Sequence, residues 1–316
     1  MFYRRVGSSG LKVSEISLGS WLTYGGYVER ENAILAIEEA YDLGVNFFDT
    51  ANVYEQGAAE ELIGQSLAPY PRHSYVLATK MYFPMGEGPN DQGLSRKHIM
   101  EQADASLKRL GLSYIDILYC HRYDPETPLE ETLRALDDLV TQGKILYIGV
   151  SEWTAAQMAE AHAIASKYLL DRIVVNQPMY NMFERSIEDE IIPFGEEKGI
   201  GQVVFSPLAQ GLLTGKYNSA TELPENSRAA KLDFVREGIT EDKITKVKQL
   251  GRIAEELGLS MSQLAIAWIL RQKNVASALV GASRPQQVAE NVKASGIKLS
   301  TDVLQQIEYI LKTKDH

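Results

Sequence analysis

The chain has 316 residues, 45 % hydrophobic and 23 % charged, an ordinary balance for a soluble folded protein. A formal net charge of −10 argues against a nonspecific grip on nucleic-acid phosphates, and no apolar run approaches the roughly 20 residues of a membrane span. The single cysteine, Cys120, leaves no internal disulfide, and MFYRRVGSSGLKV lacks the apolar core of a signal peptide, so a cytoplasmic protein is expected, with no nucleic-acid or membrane partner.

In chain order, residues 3–14 read as a hairpin that turns in GSSG. Strand-like and helix-like stretches then alternate. The expected strands are 16–21, 45–49, 75–80, 115–121, 145–150, 173–177, 202–206 and 276–281. A helix over 30–43 places Ile34, Ile37 and Tyr41 on one face and stops at Gly44. Another over 96–110 spaces Ile99, Ala103, Leu107 and Leu110 helically before Gly111. Capping boxes are expected at Thr127-Pro128-Leu129-Glu130, whose helix runs to Gly143, at Thr154-Ala155-Ala156-Gln157 and at Ser260-Met261-Ser262-Gln263. Residues 212–240 form a long polar connection, 241–257 an added helix, and 300–312 an amphipathic C-terminal helix. Eight strands alternating with helices imply an α/β chain closed as a (β/α)8 barrel, one domain over 1–316. An open doubly wound sheet is the alternative, but no G-x-G-x-x-G follows the first strand.

Four residues at strand ends carry the chemistry. Asp49 closes NFFDT, Tyr54 lies five residues on, Lys80 closes YVLATK and His121 closes IDILYCH. A phenol can protonate a carbonyl oxygen, an ammonium can lower the phenol pKa, a carboxylate can hold the ammonium, and an imidazole can orient the substrate. Together they point to carbonyl reduction by hydride transfer from a nicotinamide cofactor. Singly, each has a plainer reading: Asp49 as a helix cap, Tyr54 as packing, Lys80 as a solvated strand end or a Schiff-base lysine, His121 as a structural histidine. Cys120 is expected to be buried and inert. The five histidines show no metal-ligand spacing.

The segments FFDTANVY, LATK and CH resemble the aldo-keto reductases, and the likeness runs along nearly the whole chain. GLSRKHI, ASLKRLG, DPETPLEETLRAL, FSPLAQGLLTGKY, QLAIAWILR and LVGASRPQQVAEN resemble the branch holding the voltage-gated potassium channel β-subunits and their bacterial enzyme relatives. That resemblance implies a tetrad of Asp49, Tyr54, Lys80 and His121 and a cofactor NADPH/NADP+. Channel β-subunits typically carry Asn where this chain has His121, so an enzyme is expected. The alternative is a cofactor-loaded regulatory subunit of a membrane or oligomeric partner.

Under the same resemblance, Ser20, Trp21 and Asp49 are expected beside the cofactor. Ser151 and Gln177 would bond the nicotinamide carboxamide and Phe205 would stack on its ring. Ser206, Pro207, Leu208, Ala209, Gln210 and Gly211 would hold the pyrophosphate, with Lys216 and Arg228 adding charge. Gly281, Ser283, Arg284 and Gln287 would take the 2′-phosphate end, and Glu290 and Asn291 the adenine. Glu152 departs from the family, which usually has Asn or Arg there. Trp21, Tyr24, Tyr82, Arg122 and Tyr123 are expected to line a pocket for a small carbonyl substrate, and a homo-oligomer, tetramer or octamer, is expected.

Overall fold

The computed structural model describes residues 1–21, 29–224 and 227–313. Among them the eight expected strands are all present, shifted by at most two residues at their ends. The hairpin strands are β1 (Tyr3–Arg5) and β2 (Lys12–Ser14), paired antiparallel with Tyr3 opposite Ser14. The barrel strands follow as β3 (Ile16–Gly19), β4 (Phe47–Asp49), β5 (Val76–Met81), β6 (Ile115–Cys120), β7 (Ile145–Ser151), β8 (Ile173–Gln177), β9 (Gly201–Phe205) and β10 (Val275–Val280). All eight pair in parallel in sequence order, and β10 closes onto β3 with Ala278 opposite Ile16.

The helices are α1 (Arg30–Asp42), α2 (Ala58–Leu67), α3 (Arg96–Leu110), α4 (Leu129–Thr141), α5 (Ala155–Tyr168), α6 (Ile191–Lys198), α7 (Arg228–Lys231), α8 (Asp233–Glu237), α9 (Glu241–Glu256), α10 (Met261–Leu270), α11 (Pro285–Val292) and α12 (Thr301–Lys312). Thr154 and Ser260 complete their capping boxes at α5 and α10. The box expected at Thr127 does not form: Pro128 is the cap residue, and the Thr127 hydroxyl donates to Asp124 Oδ2 at 2.7 Å instead. Asp124 is the stronger acceptor, a carboxylate already fixed by the Leu94 and Glu126 amides. The buried stripe of α1 is Ala33, Ala36, Ile37 and Ala40, with Ile34 and Tyr41 flanking it, because α11 packs closely there and small side chains fit. Among the described residues no single helix is long and apolar enough to cross a membrane.

Strand alternation divides the core. Phe47, Val76, Ala78, Ile117, Tyr119, Val175 and Val203 fill the barrel interior, where Val6 and Val13 of the hairpin join them. Their neighbours Phe48, Leu77, Leu118 and Cys120 face the helices. Tyr119 is possible inside only because Gly149 lies opposite: a Cβ there would come within 2.5 Å of the Tyr119 ring. Burial pushes the Cys120 thiol up to about 12, so it is an inert core residue. The inward parity that places Phe47, Ala78 and Tyr119 in the core, carried one step of two further, brings Asp49, Lys80 and His121 to the C-terminal rim.

Candidate active site

The rim residues meet. Lys80 Nζ donates to Asp49 Oδ1 in an ion pair with both side chains 1 % exposed. It also donates to the Thr50 carbonyl at 2.8 Å and reaches the Tyr54 hydroxyl at 3.5 Å. The second Asp49 oxygen accepts from Gln177 Nε2 at 2.8 Å. Tyr54 and His121 stand edge to face, with ring centroids 5.8 Å apart. The His121 ring nitrogen Nδ1 is buried without a partner among the described residues.

Electrostatics sets the protonation states. Burial works against the Lys80 charge, but Asp49 and Tyr54 outweigh it, and the Lys80 pKa is raised. Lys80 is therefore an ammonium. Burial pushes the His121 pKa well below the ordinary imidazole value, and Lys80 and Arg122 push it further, so the imidazole is neutral. Burial also raises the Tyr54 pKa, and the pull of Lys80 recovers only part of that rise. The expectation that Lys80 lowers the phenol therefore holds for its own effect and not for the net shift. Tyr54 rests as a protonated phenol.

The other expected site residues fall into several groups. Ser20 Oγ bonds Thr50 Oγ1 at 2.9 Å. Ser151 Oγ donates to the Gln177 carbonyl at 2.9 Å, beside the Gln177 amide that braces Asp49. Phe205 ends β9. In the loop that follows, Ser206, Ala209, Gln210 and Gly211 all have positive φ (52, 46, 57 and 97) around Pro207 and Leu208. Such backbone turns amide groups toward one side and suits an anion. Gln210 links the Ser206 hydroxyl (2.7 Å) to Arg228 (2.9 Å). Neither Lys216 nor Arg228 has a carboxylate partner among the described residues. Desolvation and the like charge of Arg228 lower the Lys216 pKa, and desolvation lowers that of Arg228. A cation pair beside a strained loop fits a diphosphate.

Ser283, two residues before α11, bonds Gln287 Oε1 through its Oγ at 3.1 Å; on α11 Glu290 accepts from Gln263 at 3.0 Å and Asn291 is buried. Gly281 is exposed, and so is Arg284, whose guanidinium has no hydrogen-bond or ion-pair partner among the described residues.

Glu152 points its carboxylate at the Met179 amide, 2.6 Å away, from a left-handed backbone (φ 58). It is a backbone acceptor there.

Around the mouth, Phe83 stands edge-on to His121 at 4.9 Å and under the Arg122 guanidinium at 5.6 Å. Tyr82 packs on Phe83, and Tyr123 is committed to Trp153, both at 5 Å or slightly more. Arg122 donates to the His121 carbonyl at 2.5 Å and has no carboxylate partner among the described residues. Trp21 meets Phe234 of α8 at 6.5 Å. Tyr24 lies outside the described residues. Sequence reading passed over Phe83 and Phe234; Phe83 sits two residues past the β5 end, but only the fold brings Phe234 to Trp21.

Residues 15–312 match the Aldo/keto reductase family model. The chain belongs to the aldo/keto reductase family. It is an oxidoreductase-type barrel, similar to two proteins named "Probable voltage-gated potassium channel subunit beta". The one from Arabidopsis thaliana is 44 % identical over 99 % of this chain and 98 % of its own length. The one from Oryza sativa subsp. japonica is 42 % identical with the same coverage. The aldo/keto reductase rim thus holds an ammonium, a phenol and a neutral imidazole around one point.

Proposed function

We propose that this chain reduces aldehydes and ketones to alcohols with NADPH. The observation that carries the reading is the buried Lys80–Asp49 pair with the Tyr54 hydroxyl 3.5 Å from the ammonium. NADPH, when bound, supplies the hydride to the carbonyl carbon. Tyr54 gives its proton to the carbonyl oxygen, and Lys80 stabilises the phenolate left behind. Asp49, braced by Gln177, keeps Lys80 in place. Neutral His121 has one ring N–H to offer the same oxygen. Lys216, Arg228 and the loop 206–211 would hold the diphosphate, Arg284 and Ser283 the 2′-phosphate, and Ser151, Gln177 and Phe205 the nicotinamide. Phe83, Trp21 and Arg122 would shape the substrate pocket.

The channel-subunit names of the relatives favour one second reading, a cofactor-loaded regulator with little turnover. Imidazole at 121 supports the enzyme. A cytoplasmic homo-oligomer, tetramer or octamer, goes with either reading. Mass spectrometry of the copurifying nucleotide, with an aldehyde panel followed by NADPH absorbance, tests the proposal. Bound NADP(H) and aldehyde-dependent absorbance loss are expected; a bound cofactor that no aldehyde oxidises would favour the regulator.

A further inference from the structure

Tyr54 opens a turn that most side chains resist. Glu55 and Gln56 both have left-handed backbone (φ 47 and 52), and Gly57 follows at φ 95. In that region Cβ crowds the following carbonyl, so the surroundings must enforce the shape. The enforcing contacts converge on Glu60, in the first turn of α2.

The Glu60 side chain is fully buried. One carboxylate oxygen accepts from Thr79 Oγ1 at 2.6 Å and the other from Arg109 Nε at 2.6 Å. Arg109 is held in turn by Ser106 Oγ at 3.2 Å. Thr79 immediately precedes Lys80 in β5 and faces the helices while Lys80 faces the barrel interior. The Arg109 side chain backs the turn: a Cβ on Gly57 would come within 2.5 Å of its Cδ and 2.8 Å of its Nε. One carboxylate therefore ties together the strand that carries Lys80, the helix that follows Tyr54, and the side chain pressed against the Tyr54 turn.

We propose that Glu60 is a positioning residue whose grip on Thr79 and Arg109 fixes the distance between the Tyr54 hydroxyl and the Lys80 ammonium. A buried ion pair contributes little net stability over well-packed apolar residues of the same volume. What it adds is a fixed position. The inference rests on Tyr54 being the proton donor.

The Tyr54 phenol faces the charges of Lys80, Asp49 and Arg122 and the neutral His121 ring. Lengthening its separation from Lys80 removes a pull that lowers the phenol pKa. The experiment is NADP+-dependent alcohol oxidation by the full chain from about pH 7 to about pH 11, where rate rises as Tyr54 loses its proton. Glu60→Gln keeps the shape but removes the charge that pairs with Arg109, and its single amide oxygen can replace only one of the two acceptor oxygens that Thr79 and Arg109 use. It is expected to lower kcat about tenfold or more, as misplaced catalytic groups do. The pH midpoint should rise by about half a unit or more, with KM for NADP+ unchanged. Gly57→Ala displaces the same turn without touching the carboxylate and should move the midpoint the same way, which keeps the test decisive if Glu60→Gln does not fold. Arg109→Lys keeps a cation against the carboxylate and should leave the midpoint nearer wild type than Glu60→Gln does. An unmoved midpoint in the folded variants, even with lower kcat, overturns the positioning role. Tyr54→Phe separates the two ideas: retained turnover there removes the proton-donor reading, whereas an inactive Tyr54→Phe with an unmoved Glu60→Gln midpoint removes Glu60 alone.

Discussion

Lys80 shows how much work the surroundings do on a single side chain. A lysine with 1 % exposure keeps its charge because Asp49 and Tyr54 outweigh the cost of burial, and the Thr50 carbonyl accepts a further bond from it. Asp49→Asn would remove the carboxylate paired with that ammonium. Losing one partner of a buried pair typically costs about 3–5 kcal/mol, so a lower Tm by thermal unfolding and a collapse of turnover are both expected. Tyr54→Phe should instead remove nearly all reduction while cofactor titration stays close to wild type, because the hydroxyl touches Lys80 and not the loop 206–211. Retention of more than about a tenth of turnover would remove Tyr54 as the acid.

The pH behaviour follows from the same residues. The raised Tyr54 pKa keeps the phenol protonated up to and past its ordinary value of about 10, so reduction should stay flat from neutral pH into that range. A decline in kcat beginning near neutrality would contradict it. For stability the sign at His121 runs the other way. Its folded pKa is depressed, so the unfolded chain takes up a proton first as pH falls. The neutral imidazole's contribution is complete above the ordinary value of about 6.5 and is lost as pH falls toward the folded value. His121→Asn should therefore flatten the loss of Tm below about pH 6.5.

At the scale of elements, the barrel strands were legible as short apolar runs alternating with helices, and the runs of β4, β5 and β6 lead into polar residues of fixed parity. The positions of Asp49, Lys80 and His121 followed from the same pattern, whereas Tyr54 lies in the turn after β4 and does not share that parity. Helix starts were less uniform. Thr154 and Ser260 sit in capping boxes that depend only on residues three apart, and both form. Thr127 lies in the same local pattern, but its hydroxyl is taken by Asp124, three residues before it and already anchoring the Leu94 amide. Thr154→Ala should cost about 1 kcal/mol in chemical denaturation. Asp124→Ala should cost more than Thr127→Ala, since it frees the Leu94 and Glu126 amides as well. Phe234 and Glu60 were not legible at all. A glutamate on a short helix reads as solvated, and only the packing of α2, α3 and β5 shows it buried.

For the whole molecule, the arrangement of cations bears on which cofactor is held. Lys216 and Arg228 lie in the connection after β9, and Arg284 opens α11 after β10. Arg284→Ala should weaken NADPH more than NADH in fluorescence titration, by about tenfold for a charge-assisted phosphate contact. An unchanged NADPH/NADH ratio would take Arg284 out of the site. The two groups of candidate site residues come from different strands. The Asp49–Lys80–Tyr54–His121 cluster belongs to β4–β6, and the cationic half to the segments after β9 and β10. Only barrel closure brings them to one rim, which is why no local motif contains the site.

The proposed reaction moves a hydride from bound NADPH and a proton from Tyr54 onto a carbonyl. Single-turnover oxidation of bound NADPH on mixing with an activated aldehyde, run on wild type and Tyr54→Phe side by side, tests it most directly. Rapid loss of NADPH absorbance is expected in the wild type and essentially none in Tyr54→Phe, with equal cofactor occupancy in both. Stable NADPH on the wild-type protein in the presence of aldehyde, or equal rates in the two proteins, would contradict it.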